Sequence, residues 1–235
     1  MDTRTRHSLK QDSLATAAAS SAHWMSDHRS GLGRWIIASV VAVVLLIGAI
    51  VLWNVRSAAA DTALGSALDT YSAQLTQPGA PARAGEYSTV GERAKRANEQ
   101  FAAVAAKYSW LPQGAKAHYF VGVTDVEMGQ QSAGEAELKI AAGSWNQDLA
   151  NLGKLALANL YHQSSRDAAA IDELNQLIAK PSATVPATLA QLNLADLYMA
   201  TGKRDQARAI WAKIKDSDKE GAAGSMAAQK LVRAE

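Results

Sequence analysis

Residues 194–211 read LADLYMATGKRDQARAIW, and two earlier stretches repeat their pattern. Residues 121–138 read VGVTDVEMGQQSAGEAEL, and residues 155–174 read LALANLYHQSSRDAAAIDEL. In each, a large apolar residue recurs 17 positions on: Val121 to Leu138, Leu157 to Leu174, Leu194 to Trp211. Small residues hold equivalent places, first Gly122, Ala158 and Ala195, then Gly134, Ala170 and Ala207. Gly129, Ser165 and Gly202 fall between the halves, where a chain reversing direction needs a turn residue. Such a unit is a helix, a tight turn and a second helix. The small residues let the two helices approach, and the large ones fill the gap between neighbouring pairs.

Successive units are offset by 36 and 37 residues, a spacing typical of helical arrays. The extra residues lie between units, where Pro112, Pro181 and Pro186 would otherwise break a helix. Pro78 and Pro81 lie in a Pro/Gly loop at 76–86. Ala97 and Phe101 match Ala170 and Leu174 and form an upstream half-unit. A helix carrying Leu64, Leu68, Tyr71 and Leu75 on one face is expected to serve as its partner, and residues 219–233 to cap the stack.

Further out, residues 35–53 read WIIASVVAVVLLIGAIVLW. Nineteen residues at about 1.5 Å each span roughly 28 Å, close to the hydrocarbon thickness of a bilayer. Twelve are Ile, Leu or Val, favouring insertion by about 4–7 kcal/mol. No charge or proline opposes them, and Trp stands at both ends. A cleaved signal peptide is the rival reading, since Ala58, Ala59 and Ala60 follow. The apolar run is longer than such peptides use, and 34 residues precede it. Arg4, Arg6, Lys10, Arg29 and Arg34 precede the run, whereas Arg56 alone follows it before Arg83. The positive-inside bias then puts the N-terminus in the cytoplasm and the remainder outside it, the periplasm in a bacterium with two membranes. The expected organisation is a disordered tail over 1–34 with a short helix near residues 9–19, a transmembrane helix at 35–55, a membrane-proximal helix and loop at 56–87, and the repeats at 88–235.

Composition narrows the chemistry. The chain beyond residue 56 carries 18 basic and 19 acidic residues, so no electrostatic footprint for nucleic acid exists. Without cysteine there are no disulfides, thiolate metal sites or cysteine nucleophiles. His7, His23 and His28 are irregularly spaced and read as a solvated tail, not metal ligands. His118 and His162 read as packed or groove-lining side chains. Glu135, Glu137, Asp172 and Glu173 read as solvated helix faces. No phosphate loop, zinc-protease motif or nucleophile elbow occurs. The expectation is a non-enzyme without cofactor or metal.

Leu194, Ala195, Tyr198, Gly202, Ala207 and Trp211 together resemble a tetratricopeptide repeat. The second unit is similar with Ser165 for Gly, and the first has Asp125 where Tyr is usual. The fold class is thus all-α: one N-terminal transmembrane helix followed by a tetratricopeptide-like helical-hairpin solenoid. The order of tail, membrane helix and degenerate repeats also resembles the YfgM-like ancillary SecYEG translocon subunits. That resemblance implies a bacterial inner-membrane protein whose partners are translocon or periplasmic chaperone components and emerging chains. The alternative is a self-associating structural protein of the cell envelope.

In tetratricopeptide repeats the first helix of each pair lines the concave side. The equivalent positions here are Lys116, Tyr119, Val123, Val126 and Glu127; Leu152, Leu155, Asn159, His162 and Gln163; and Leu189, Leu192, Asp196, Met199 and Ala200. Mostly apolar, they suit a helix or unfolded segment. Asn159 alone fits a carboxylate clamp, so that subtype is rejected. The chain's own first or last helix could fill the groove instead.

Overall fold

The computed structural model describes residues 29–76 and 85–234. The expected tail and its short helix, with His7, His23 and His28, lie outside the described residues, as do the prolines of the 76–86 loop. The described chain folds into helices α1 (Arg29–Tyr71), α2 (Val90–Lys107), α3 (Pro112–Glu127), α4 (Gln131–Ala142), α5 (Gln147–Gln163), α6 (Asp167–Ala179), α7 (Ala187–Ala200), α8 (Arg204–Ser217) and α9 (Ala222–Arg233). Two compact units result, residues 1–56 and 57–235.

In the first unit, α1 starts six residues before the apolar run, at Arg29. Residues 34–56 are exposed throughout. Among the described residues, only this helix is long and apolar enough to cross a membrane. The same length and composition also fit a signal sequence.

In the second unit, three hairpins follow one design: α3 with α4, α5 with α6, and α7 with α8. Each turns on a residue in the left-handed region, Gly129 at φ 79°, Ser165 at 58° and Gly202 at 77°. The hydrogen bonds are the same at each turn. The amide of Gln130 donates to the Asp125 carbonyl at 2.8 Å, that of Arg166 to Tyr161 at 2.7 Å, and that of Lys203 to Tyr198 at 2.8 Å. One residue earlier, Gly129 donates to Val126, Ser165 to His162, and Gly202 to Met199. This pair of bonds satisfies carbonyls that a helix C-terminus would leave open. Arg166 then stacks on Tyr161 at 4.5 Å from the ring centroid, and Lys203 on Tyr198 at 5.4 Å. Asp125, the departure from Tyr, is buried and accepts from Asn98 Nδ2 at 2.7 Å instead.

The small residues sit where helices cross. A Cβ on Gly122 would lie 2.7 Å from Leu138 Cγ, and one on Gly134 would lie 2.8 Å from the Gly122 carbonyl oxygen. Ala158, Ala170, Ala195 and Ala207 are likewise buried, as are Val121, Leu157, Leu194, Leu138, Leu174 and Trp211. Leu138, Leu157, Leu174, Leu177, Leu194 and Leu197 form a continuous core through the hairpins.

The last turns of α1 pair with α2, burying Ala60, Leu64 and Ala67 against Ala97 and Phe101. Leu68 and Tyr71 pack on the same cluster. Leu75 does not share that face. The helix ends at Tyr71, and Leu75 is 39% exposed in a single bridge to Tyr87. At the far end α9 packs on α7 and α8, with Ala227 against Leu192, Trp211 and Ile214.

Candidate functional site

Local sequence fixes the helices that frame the site. Pro112 opens α3, where its missing N–H costs nothing. Asn146 caps α5, accepting from the Leu149 amide at 3.1 Å. Gly153 lets α5 meet the end of α4, since a Cβ there would come within 2.6 Å of the Ala142 nitrogen. Buried Asn151 donates to the Lys180 carbonyl at 2.9 Å and accepts from Gln147. The Asp148 carboxylate accepts from the backbone N–H and the hydroxyl of Thr184, at 3.1 and 3.0 Å. Those bonds hold its pKa below the usual carboxylate range.

Between α3 and α5 lies a cleft of about 260 Å3, lined by Tyr119, Val123, Val126, Glu127, Leu152, Leu155, Asn159 and Gln163. A second hollow of about 410 Å3 shares Tyr119 and Leu152 with it. It adds Lys116, Pro112, Phe120, Trp145, Asn146 and Leu149. The two form one groove with an apolar floor. Burial pushes the Tyr119 hydroxyl above its ordinary pKa.

The chain covers both ends of the row of first helices and leaves the stretch between α3 and α5 open. Tyr71 donates to Glu127 Oε1 at 2.6 Å, and burial together with that carboxylate pushes its pKa up to about 12. Tyr71 also packs on Phe101 and Phe120. At the other end Lys230 of α9 pairs with Asp196 at 2.7 Å, and Met199 packs on the cluster that α9 completes.

Several expected groove residues lie elsewhere. Leu192 is 6% exposed and belongs to the core with Trp211 and Ile214, because α9 adds a layer over α7. His162 lines neither hollow and pairs with Asp167 at 2.7 Å, where the next helix starts. Leu189 is exposed and Ala200 adjoins α9, outside the central groove.

The acidic faces also differ from expectation. Glu135 bridges Arg166 and Lys139, each at 2.7 Å, and accepts from the Tyr161 hydroxyl. Hydrogen bonds from Arg166, then Lys139, lower its pKa to about 2. Glu137 pairs with His118 at 2.5 Å between α3 and α4. Glu173 is half-buried, and desolvation raises its pKa. Spacing within one helix cannot reveal such partners on another.

Transferring positions from first helices alone missed Trp145, which is 83% exposed at the rim of the larger hollow. The signal in the sequence was an aromatic in the polar connection Gly143-Ser144-Trp145-Asn146. Among the described residues, no group of three or more His, Asp or Glu could hold a metal ion.

No family model matches the chain. No curated protein does. Two solved structures do: the nearly identical TPR-like repeats of a chain described as a Podosopora anserina kinesin light chain, and a point-substituted form of the same repeats. Each aligns with a TM-score of 0.52 at 18% identity over 61% of this chain. The match covers 77% of the substituted form and 78% of the other.

The fold is TPR-like.

The groove lies on the first helices of two successive hairpins. The TPR-like hairpins supply its floor, whereas the connections between them supply Trp145 and Asn146.

Proposed function

We propose that this chain is a membrane-anchored, non-enzymatic TPR-like scaffold that binds protein partners outside the cytoplasm as an accessory factor of Sec translocation or periplasmic chaperoning. The observation that carries the reading is the open apolar groove between α3 and α5, on a chain that also has an apolar helix of membrane-spanning length. An uncovered apolar concavity of this size is a place for a partner's side chains. Residues 35–53 span the bacterial inner membrane, with the basic flank in the cytoplasm. The whole-chain order supports the translocon assignment through its resemblance to YfgM-like subunits.

The test is crosslinking in cells, followed by solubilisation and recovery of the chain. Translocon or envelope-chaperone components should copurify. Recovery of neither, or of the chain with itself alone, would overturn the assignment. Because the chain has no cysteine, single introduced thiols report orientation. Ala183→Cys should react with an impermeant maleimide from outside, and Ser8→Cys only after lysis.

A further inference from the structure

The connections between hairpins share one edge of the array. Pro112 at the end of the first, Ser144, Trp145 and Asn146 of the second, and Thr184 of the third line one hollow. The hairpin turns at Gly129, Ser165 and Gly202 lie at the other ends of the helices. The array also begins at the connection edge. Gln113 Nε2 donates there to Ser57 Oγ at 3.0 Å and to Asp61 Oδ1 at 2.8 Å. Ser57 follows Trp53 by four residues, a reach of at most about 14 Å when fully extended.

Residues 57–235 hold three tryptophans. Trp211 is buried, whereas Trp110 is 54% exposed and Trp145 83% exposed. Both exposed rings stand on the connection edge, Trp110 between α2 and α3 and Trp145 between α4 and α5. Neither stretch, KYSWLP at 107–112 nor GSWN at 143–146, contains an acidic residue. The turns on the opposite edge, 128–131, 164–167 and 201–204, have no aromatic residue. Basic residues occur on both edges, Lys107 on one and Arg166 and Lys203 on the other. Aromatic rings, not charge, tell the two edges apart. An indole joins an apolar ring to an N–H donor and settles where lipid headgroups meet acyl chains. A solitary exposed tryptophan needs no explanation. Two of them on the edge where the chain enters, a short tether away from a run of membrane-spanning length, fit a lipid interface.

We propose, resting on the membrane-anchored reading above, that the connection edge docks on the lipid surface, with Trp110 and Trp145 inserted among the headgroups. Docking holds the larger hollow, whose rim carries Trp145, at the membrane, so a partner entering that hollow meets Trp145 as well. The later connections, 180–186 and 218–221, hold no tryptophan and stay in water.

The test uses the full chain in phosphatidylcholine nanodiscs that contain a lipid with a nitroxide on its headgroup. The chain has no cysteine, so one fluorophore is attached at a time. Ser109→Cys and Gly143→Cys mark the connection edge; a Cβ at Gly143 meets only ordinary contacts. Gln130→Cys and Arg204→Cys, both exposed, mark the opposite edge. The first pair should be quenched severalfold more than the second, and high salt should leave the difference in place. Replacing both exposed tryptophans by alanine should remove most of the difference, and Trp145→Ala alone should remove part of it. Replacing both by tyrosine, which keeps an amphipathic ring, should preserve it. Equal quenching at the two edges would overturn the docking. So would a difference that survives the alanine variants, since the tether alone would then explain it, or one that salt abolishes. Unquenched connection-edge dyes, with a polypeptide crosslinked from position 110 in cells, would assign the edge to a protein and overturn the lipid contact. A dye at Val44→Cys reports the anchor separately. Its quenching by acyl-chain nitroxides should hold in every variant, and its absence would overturn the anchored reading together with this inference.

Discussion

Ser165 holds the left-handed turn that Gly129 and Gly202 hold in the other hairpins. A side chain there costs about 1–2 kcal/mol, whereas glycine pays roughly 0.5–1 kcal/mol of extra entropy on folding. Ser165→Gly should therefore stabilise the domain by about 0.5–1 kcal/mol, raising Tm by roughly 1–4 °C. Thermal unfolding of the two forms checks this, and an unchanged or lower Tm would contradict it. The position was legible because an offset of 36 or 37 residues placed Ser165 opposite two glycines. The fate of Asp125 was not. Its sequence neighbours give no sign that Asn98, 27 residues upstream, supplies its hydrogen bond.

At the scale of elements, Glu135 of α4 joins the first hairpin to the turn of the second through Arg166. Its pKa in the fold, about 2, lies below the ordinary 4.5. The folded state thus favours the ionised carboxylate. The stability this adds is fully present above about pH 4.5 and is lost as pH falls toward 2. Glu135→Gln should unfold more readily than the parent at neutral pH, and the gap should close through that window. Denaturant unfolding at a series of pH values measures it, and a gap independent of pH would contradict the network. Helix existence and pairing were legible from the 17-residue recurrence and the prolines. The ends were less so. Leu75 continued the apolar spacing of α1, yet the helix stops at Tyr71 and the strand-like bridge to Tyr87 takes over. Leu192 followed the concave-face register of its repeat, yet α9 covers it, and nothing in residues 189–200 encodes that cover.

Over the whole molecule, an apolar helix of membrane-spanning length and a TPR-like array share one chain. The array closes its two ends with its own chain, Tyr71 on Glu127 and Lys230 on Asp196. The open stretch lies between α3 and α5. Nine of the residues expected on the concave side from sequence come together there, because first helices of successive hairpins face one way. Trp145 joins them from a connection that no helix pattern marks. The central claim is that this open stretch, and not the outer face of the array, meets a partner. Photo-crosslinking amino acids introduced in cells at Leu155, at Trp145 and at Ile140, which is 52% exposed on α4 outside both hollows, test it most directly. Leu155 and Trp145 should each capture another polypeptide while Ile140 captures none. Equal capture from all three positions, or capture from Ile140 alone, would contradict the account.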